Sequence, residues 1–154
     1  MIAVHRCSKC KYIRDFSGYG SFKVGGRWNS KGVYMLYTSS NPSLAFLECL
    51  VHMAPIIPGN DYCMMQIKSK QDSIMNLKAE DLLKDWRSDP APEYLKRIGD
   101  QFVEEGKYLM LKVPSAVLPM EWNILINPKH ELMAQLILDT PIPVNIDPRI
   151  KGRQ

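Results

Sequence analysis

The residues that most constrain the fold are Val33-Tyr34-Met35-Leu36-Tyr37-Thr38 and what directly follows them. A near-continuous apolar run of this length is what a strand buried on both faces requires. Ser39-Ser40-Asn41-Pro42 then signals a helix start, because Ser40 or Asn41 can cap and Pro42 suits the first helical position. The helix predicted over Ser43–Met53 is apolar almost all round and should therefore be buried, with Pro55 and Pro58 ending it. Ahead of the strand, Gly25-Gly26-Arg27-Trp28-Asn29-Ser30-Lys31-Gly32 reads as a turn-rich loop.

The rest of the chain is predicted on the same signals. Strands are expected over Ile2–Arg6, Asp61–Lys68, Tyr108–Val113, Asn123–Asn127 and Glu131–Leu138. Lys11–Lys23 is expected to be a loop and Ala79–Arg87 a short helix. Glu93–Glu105 carries Tyr94, Leu95, Ile98 and Phe102 on one stripe, so a helix is predicted there, with Gly106 capping it. The tail Pro143–Ile150 is expected to be extended. Strands outnumber helices and do not alternate with them regularly. The predicted class is therefore α+β, a compact mixed β-sheet core with a few flanking helices.

With 154 residues and no credible linker, one domain spanning 1–154 is expected. No apolar run reaches the roughly 20 residues that span a bilayer. The N-terminus turns polar too early for a signal-peptide core. The expected location is cytoplasmic, with no membrane association. A net charge of +4 with scattered basic residues, apart from the tail Arg149–Arg153, suits an anionic small molecule or an acidic partner surface. Direct nucleic-acid binding is not expected, since no Lys/Arg cluster with interleaved aromatics occurs. Cys7 and Cys10 form a C-x-x-C, half of a zinc site, but Cys49 and Cys63 sit in apolar runs and no second pair exists. Free thiols in a reducing compartment, without metal, are the expectation.

Three side chains in the Gly25–His52 segment can carry chemistry. Glu48 is the only acidic residue between Asp15 and Asp61, and it sits mid-helix among apolar neighbours. A buried carboxylate needs a partner or a cavity, so Glu48 is either half of a structural ion pair with an arginine or a working group. Arg27 follows two glycines, and an arginine in such a loop can grip phosphate through its fork, or else lie on the surface against Trp28. Tyr37, at the end of the strand, can stack on a flat ligand or fill the core. Tyr34, three residues earlier on the same strand, is expected on the opposite face and in the core. Together, a phosphate clamp, a ring platform and a carboxylate match NAD, whose glycosidic carbon becomes oxocarbenium-like as nicotinamide leaves.

The ordered set of motifs resembles the RES domain, a family named for its Arg, Glu and Ser residues. It comprises Gly25-Gly-Arg-Trp-Asn-Ser-Lys-Gly32, Tyr37-Thr-Ser39, Ala45-Phe-Leu-Glu48, His52 and Ile98-Gly-Asp100. It continues through Val113-Pro-Ser-Ala-Val117, Glu121-Trp-Asn123, Leu125-Ile-Asn-Pro128, His130 and Ile146-Asp-Pro-Arg-Ile150. The resemblance implies a core similar to that of ADP-ribosyltransferases and a toxin of a bacterial toxin–antitoxin pair. It implies degradation of NAD, in some members by phosphorolysis, with inorganic phosphate as co-substrate and no further cofactor. It also implies a helix-turn-helix antitoxin that blocks the active site; a homodimer is left open. By the same resemblance Arg27 is the phosphate-binding arginine, Tyr37 the nicotinamide-side tyrosine and Glu48 the catalytic glutamate. Ser115 matches the motif serine and Asn127 the Asn-Pro asparagine, both on the substrate side. Ser115 can equally hydrogen-bond its own turn.

Three readings follow: NAD degradation with phosphate or water as nucleophile, ADP-ribosyl transfer to a macromolecule, or a binding module in which Arg27 and Glu48 form a salt bridge.

Overall fold

The computed structural model describes residues 1–53 and 61–151. The predicted stop at Pro55 and Pro58 lies outside them. The predicted class holds: the architecture is α+β, and the described residues place eight strands in one mixed, mostly antiparallel sheet. The strands are β1 (Ile2–Lys9), β2 (Leu36–Ser39), β3 (Tyr62–Ser69), β4 (Ile74–Asn76), β5 (Met110–Pro114), β6 (Trp122–Ile126), β7 (Ile137–Leu138) and β8 (Ile142–Pro143). Their spatial order is β4-β5-β6-β2-β1-β3-β7, with β8 also paired to β3. Among the described residues, only β4 and β5 run parallel. The helices are α1 (Tyr19–Val24), α2 (Pro42–Met53) and α3 (Glu93–Glu105).

β2 is central, between β1 and β6, as its apolar sequence requires. It is shorter than predicted, because side chains claim the backbone ahead of it. Asn29 Nδ2 donates to the Val33 carbonyl at 3.0 Å, and the Met35 N–H donates to Ser21 Oγ at 3.1 Å. Tyr34 is thus outside the strand and half-buried, stacked on Phe22 at 4.3 Å. That corrects its expected core placement.

The expected loop Lys11–Lys23 contains α1, whose six residues are too few to show a helical period. The helix ends at Gly25, with φ 73°. Ala79–Arg87 holds only a 3-10 turn, Ala79–Asp81, closed by the Lys78 N–H donating to Asp81 Oδ2 at 3.0 Å. Glu131–Leu138 is a 3-10 turn over Glu131–Gln135 followed by the two residues of β7. There His130 Nδ1 accepts from the Leu132 N–H at 3.1 Å and turns the chain away from the sheet. In the tail, β8 is followed by a 3-10 turn, Pro148–Lys151.

α2 is not buried all round. Leu44 and Ala45 are buried, Glu48 is half-buried, and Val51 and His52 are exposed. Its start is as predicted, with Asn41 Oδ1 accepting the Leu44 N–H at 2.8 Å. The cysteine expectation also changes. Cys10 and Cys63 are joined by a disulfide linking the end of β1 to the start of β3, so the C-x-x-C does not present two thiols. Cys7 and half-buried Cys49 are free, and a hydrogen bond from Cys49 holds Cys7 below the usual thiol range.

The sheet has a core on each face. One contains Val4, Leu36, Met65, Ile67, Ile124 and Ile126, with Leu132, Met133 and Leu136 packed over it. The other contains Leu111, Val113 and Leu125 under Trp28, Met35, Trp86 and the α3 residues Leu95 and Phe102. Because strand side chains alternate, Tyr37 and Ser39 share this second face with their partners Leu125 and Asn123.

Candidate active site

The Arg27 loop is built around Asn29, whose side chain is fully buried. Its Nδ2 donates to the carbonyls of Ser21, Ser30 and Val33, and its Oδ1 accepts the Tyr37 hydroxyl at 2.6 Å. Every polar atom of the amide is therefore used, as burial demands. Ser30 is held by α3: its N–H and hydroxyl donate to the two oxygens of Asp100 at 2.9 and 2.6 Å. Next to Asp100, Gly99 lets the Trp28 carbonyl lie where a side chain would be, since a Cβ there would meet it at 1.7 Å. The loop is thus fixed at both ends before any ligand arrives.

From this loop Arg27 reaches across to the segment before α3. Its Nη1 donates to the carbonyls of Trp86 at 2.9 Å and Ser88 at 3.0 Å. Among the described residues only Nη1 is engaged, which leaves Nε and Nη2 available to an anion. Arg87 Nε in turn donates to the Ala116 carbonyl at 3.0 Å, bringing this segment against the turn that holds Ser115.

Ser115 is fully buried. Its Oγ accepts the N–H groups of Val117 and Leu118 at 3.2 and 3.0 Å, so it does bond its own turn. It also donates to Glu48 Oε1 at 2.7 Å. Asn123 Nδ2 donates to the same oxygen at 2.5 Å. Glu48 is therefore held by two neutral donors rather than by an arginine. Among the described residues, neither Glu48 nor Arg27 takes part in a salt bridge. This removes the structural Arg27–Glu48 pair on which the binding-module reading depended.

Tyr37 lies between the two ends. Its ring is only partly covered, while its hydroxyl lies deep, donating to Asn29 and accepting the Trp28 N–H at 3.1 Å. Burial pushes the phenol well above its usual pKa, so the hydroxyl remains a donor at neutral pH. Two residues on, Ser39 bonds Asn123, which bonds Glu48. Tyr37 and Ser39 thus share one face of the sheet with Asn123, which with Ser115 holds Glu48, and the Arg27 loop is tied to Tyr37 through Trp28 and Asn29.

Residues 3–147 match the family model of the RES domain. The chain belongs to the RES domain family. It is 39% identical over 150 residues to a protein of Yersinia enterocolitica named Toxin Res, covering 96% of this chain and 99% of that one. It is 34% identical over 120 residues to a Sphingobium protein named Prs ADP-ribosylating toxin, covering 75% of this chain and 74% of that one. The fold is similar to a chain of the Mycobacterium tuberculosis MbcT–MbcA toxin–antitoxin complex, with a TM-score of 0.76 at 15% identity, over 93% of this chain and 84% of that one.

Within this RES domain Glu48 and Ser115 are in direct contact and the Arg27 loop is tied to Tyr37 through Trp28 and Asn29, but Asn127 does not join them. Asn127 lies four residues beyond Asn123, roughly 13 Å along the strand direction. Its amide donates to the Val103 carbonyl at 3.3 Å and its oxygen accepts the Lys129 N–H at 3.0 Å, tying the end of β6 to α3. It lines an open depression of about 530 Å³ with Ser73, Lys107 and His130, which contains none of Arg27, Tyr37 or Glu48. Asn29, Asp100 and Asn123 lie within the family motifs, but the sequence points to no role for them. Their spacing to their partners, 8, 70 and 75 residues, carries no local signal.

Proposed function

We propose that this RES domain protein is a toxin that consumes NAD by breaking the nicotinamide–ribose bond, with phosphate or water as the nucleophile. The observation that carries this reading is the Glu48 carboxylate, pinned at Oε1 by Ser115 and Asn123, on the sheet face it shares with Tyr37. Such a fixed negative charge favours the cationic, oxocarbenium-like sugar that forms as nicotinamide departs. The free part of the Arg27 fork serves the pyrophosphate, where two parallel charge-assisted hydrogen bonds fit. The exposed part of the Tyr37 ring offers a surface for the flat nicotinamide. The relatives named Toxin Res support the toxin role.

The Sphingobium relative's name favours a second reading, in which the same bond is broken but ADP-ribose passes to a macromolecule. One incubation separates the two. Purified protein is mixed with NAD, with and without inorganic phosphate, and the products are identified by mass spectrometry. Free nicotinamide with phosphorylated or free ADP-ribose supports the first reading. Nicotinamide release only when an acceptor protein is added, with a matching mass gain on it, supports the second. Intact NAD in every arm sinks both.

A further inference from the structure

We infer that Asn123, anchored by Ser39, is a positioning residue for Glu48; the kinetic part of the test rests on the NAD reading, and the geometric part does not. Ser39 lies on central β2 and is buried, 3% exposed. Its register partner on β6 is Asn123. The Ser39 hydroxyl donates to Asn123 Oδ1 at 2.8 Å. An amide has two nearly isosteric ends, and a carboxylate can only accept, so Glu48 takes the NH2 end and leaves the oxygen to the Ser39 hydroxyl, which anchors the group to β2. With Oδ1 taken by Ser39, Nδ2 faces the carboxylate and donates to Glu48 Oε1 at 2.5 Å.

The second donor on that oxygen, Ser115, is also oriented, because its Oγ already accepts two backbone N–H groups. Its own proton is thereby directed outward. Two preset donors thus converge on Oε1. Oε2 has no partner among the described residues, so it is the oxygen left for the reacting sugar. The arrangement fixes the carboxylate plane from the sheet side, independently of α2. Since α2 is only partly buried, the helix alone does not set this angle. Catalytic groups held by a preset surrounding shell keep the tight geometry that turnover needs.

The kinetic test measures kcat and KM for nicotinamide release in the parent, Asn123→Ala, Asn123→Asp and Ser39→Ala, with melting curves confirming that each is folded. Asn123→Ala is expected to lower kcat roughly ten- to a hundredfold, the scale on which a misplacement of about 1 Å slows a reaction. KM should stay within about twofold, since Asn123 is not proposed to touch the ligand. Asn123→Asp keeps the shape but sets a carboxylate against a carboxylate, so it should be slower than Asn123→Ala. If Asn123 merely fills space, the order reverses. Ser39→Ala should move kcat in the same direction by less. In a Glu48→Gln background, Asn123→Ala should cost little more, because it acts through Glu48; additive losses would overturn the inference.

The geometric test follows the side-chain amide signals of Asn123 by NMR in 15N-labelled protein. Glu48→Gln and Ser39→Ala should each shift those signals and speed their hydrogen exchange. If Glu48→Gln leaves them unmoved, the inference is wrong whatever the substrate. If the parent releases no nicotinamide yet these signals respond as expected, the NAD reading falls and the positioning stands.

Discussion

Arg27 and Glu48 are asked to do different things, and their replacement should show it. Arg27→Ala removes a charge-assisted phosphate contact worth about 1.5–3 kcal/mol, so KM for NAD should rise by roughly ten- to a hundredfold. Glu48→Gln keeps the shape and removes the charge that matters only as the bond breaks. It should lower kcat by about a hundredfold or more, with KM little changed. Steady-state nicotinamide release measures both, and parent-like rates in both variants would refute the site.

Tyr37 gives a prediction in pH. Its folded pKa is raised, first by burial, and the unfolded phenol ionises near pH 10. Its contribution is thus complete below about pH 10 and is lost as the pH rises towards the folded value. Tyr37→Phe leaves Asn29 Oδ1 buried without its donor, which should cost about 1–3 kcal/mol at neutral pH. The variant should also decline less steeply between about pH 9 and 11. Urea melts across that range check both, and an equal alkaline slope in the two proteins would mean that the hydroxyl is not buried as described.

Among the elements, α3 and the Arg27 loop depend on each other. Gly99→Ala drives a Cβ onto the Trp28 carbonyl, a backbone atom that cannot swing away. The loss should reach or exceed the upper end of the roughly 1–3 kcal/mol typical of overpacking, and NAD turnover should fall with it. Gly20→Ala in α1 is the comparison, because nothing lies within 4 Å of its added Cβ. It should be neutral, or stabilising by up to about 1 kcal/mol through helix propensity. Thermal melts of the two variants, with activity alongside, decide this; a Gly99→Ala protein that melts like the parent would contradict the packing described.

The contrast between elements also shows what can be read from a sequence. α3 has a strong 3.6-residue period and a glycine at its end, and the predicted bounds Glu93–Glu105 are the observed ones, with Gly106 at φ 58°. β2 was recognisable as central because its apolar residues serve both faces. α1 was missed because six residues carry no period, and the Glu131–Gln135 turn because His130 ends a run that otherwise looks like a strand. Arg27, Tyr37, Glu48 and Ser115 can be named together from the family motifs. The support under them cannot, since the roles of Asn29, Asp100 and Asn123 exist only once distant strands and helices meet.

For the molecule as a whole, the toxin reading predicts a phenotype. Expression of the parent alone in bacteria should arrest growth and lower cellular NAD, while Glu48→Gln should be tolerated. Co-expression of a cognate antitoxin should relieve both effects, and the net charge of +4 suits an acidic segment that competes for Arg27. Growth curves with NAD measurements test this. Abundant, folded parent protein with normal growth and NAD would count decisively against the toxin role. No helix among the described residues is long and apolar enough to cross a membrane.

The strand order has a consequence in time. β2 is made early, yet one of its two neighbours, β6, is made late, and Asn123 follows Glu48 by 75 residues. At about 5–20 residues per second, that separation is roughly 4–15 s of synthesis. A nascent chain ending after β3 already carries Arg27, Tyr37 and Glu48, but it lacks α3, the serine turn and the strand that closes the centre of the sheet. On the toxin reading, the half-made protein should be harmless, and the cell that makes it has those seconds in which a partner can be waiting when the last piece arrives.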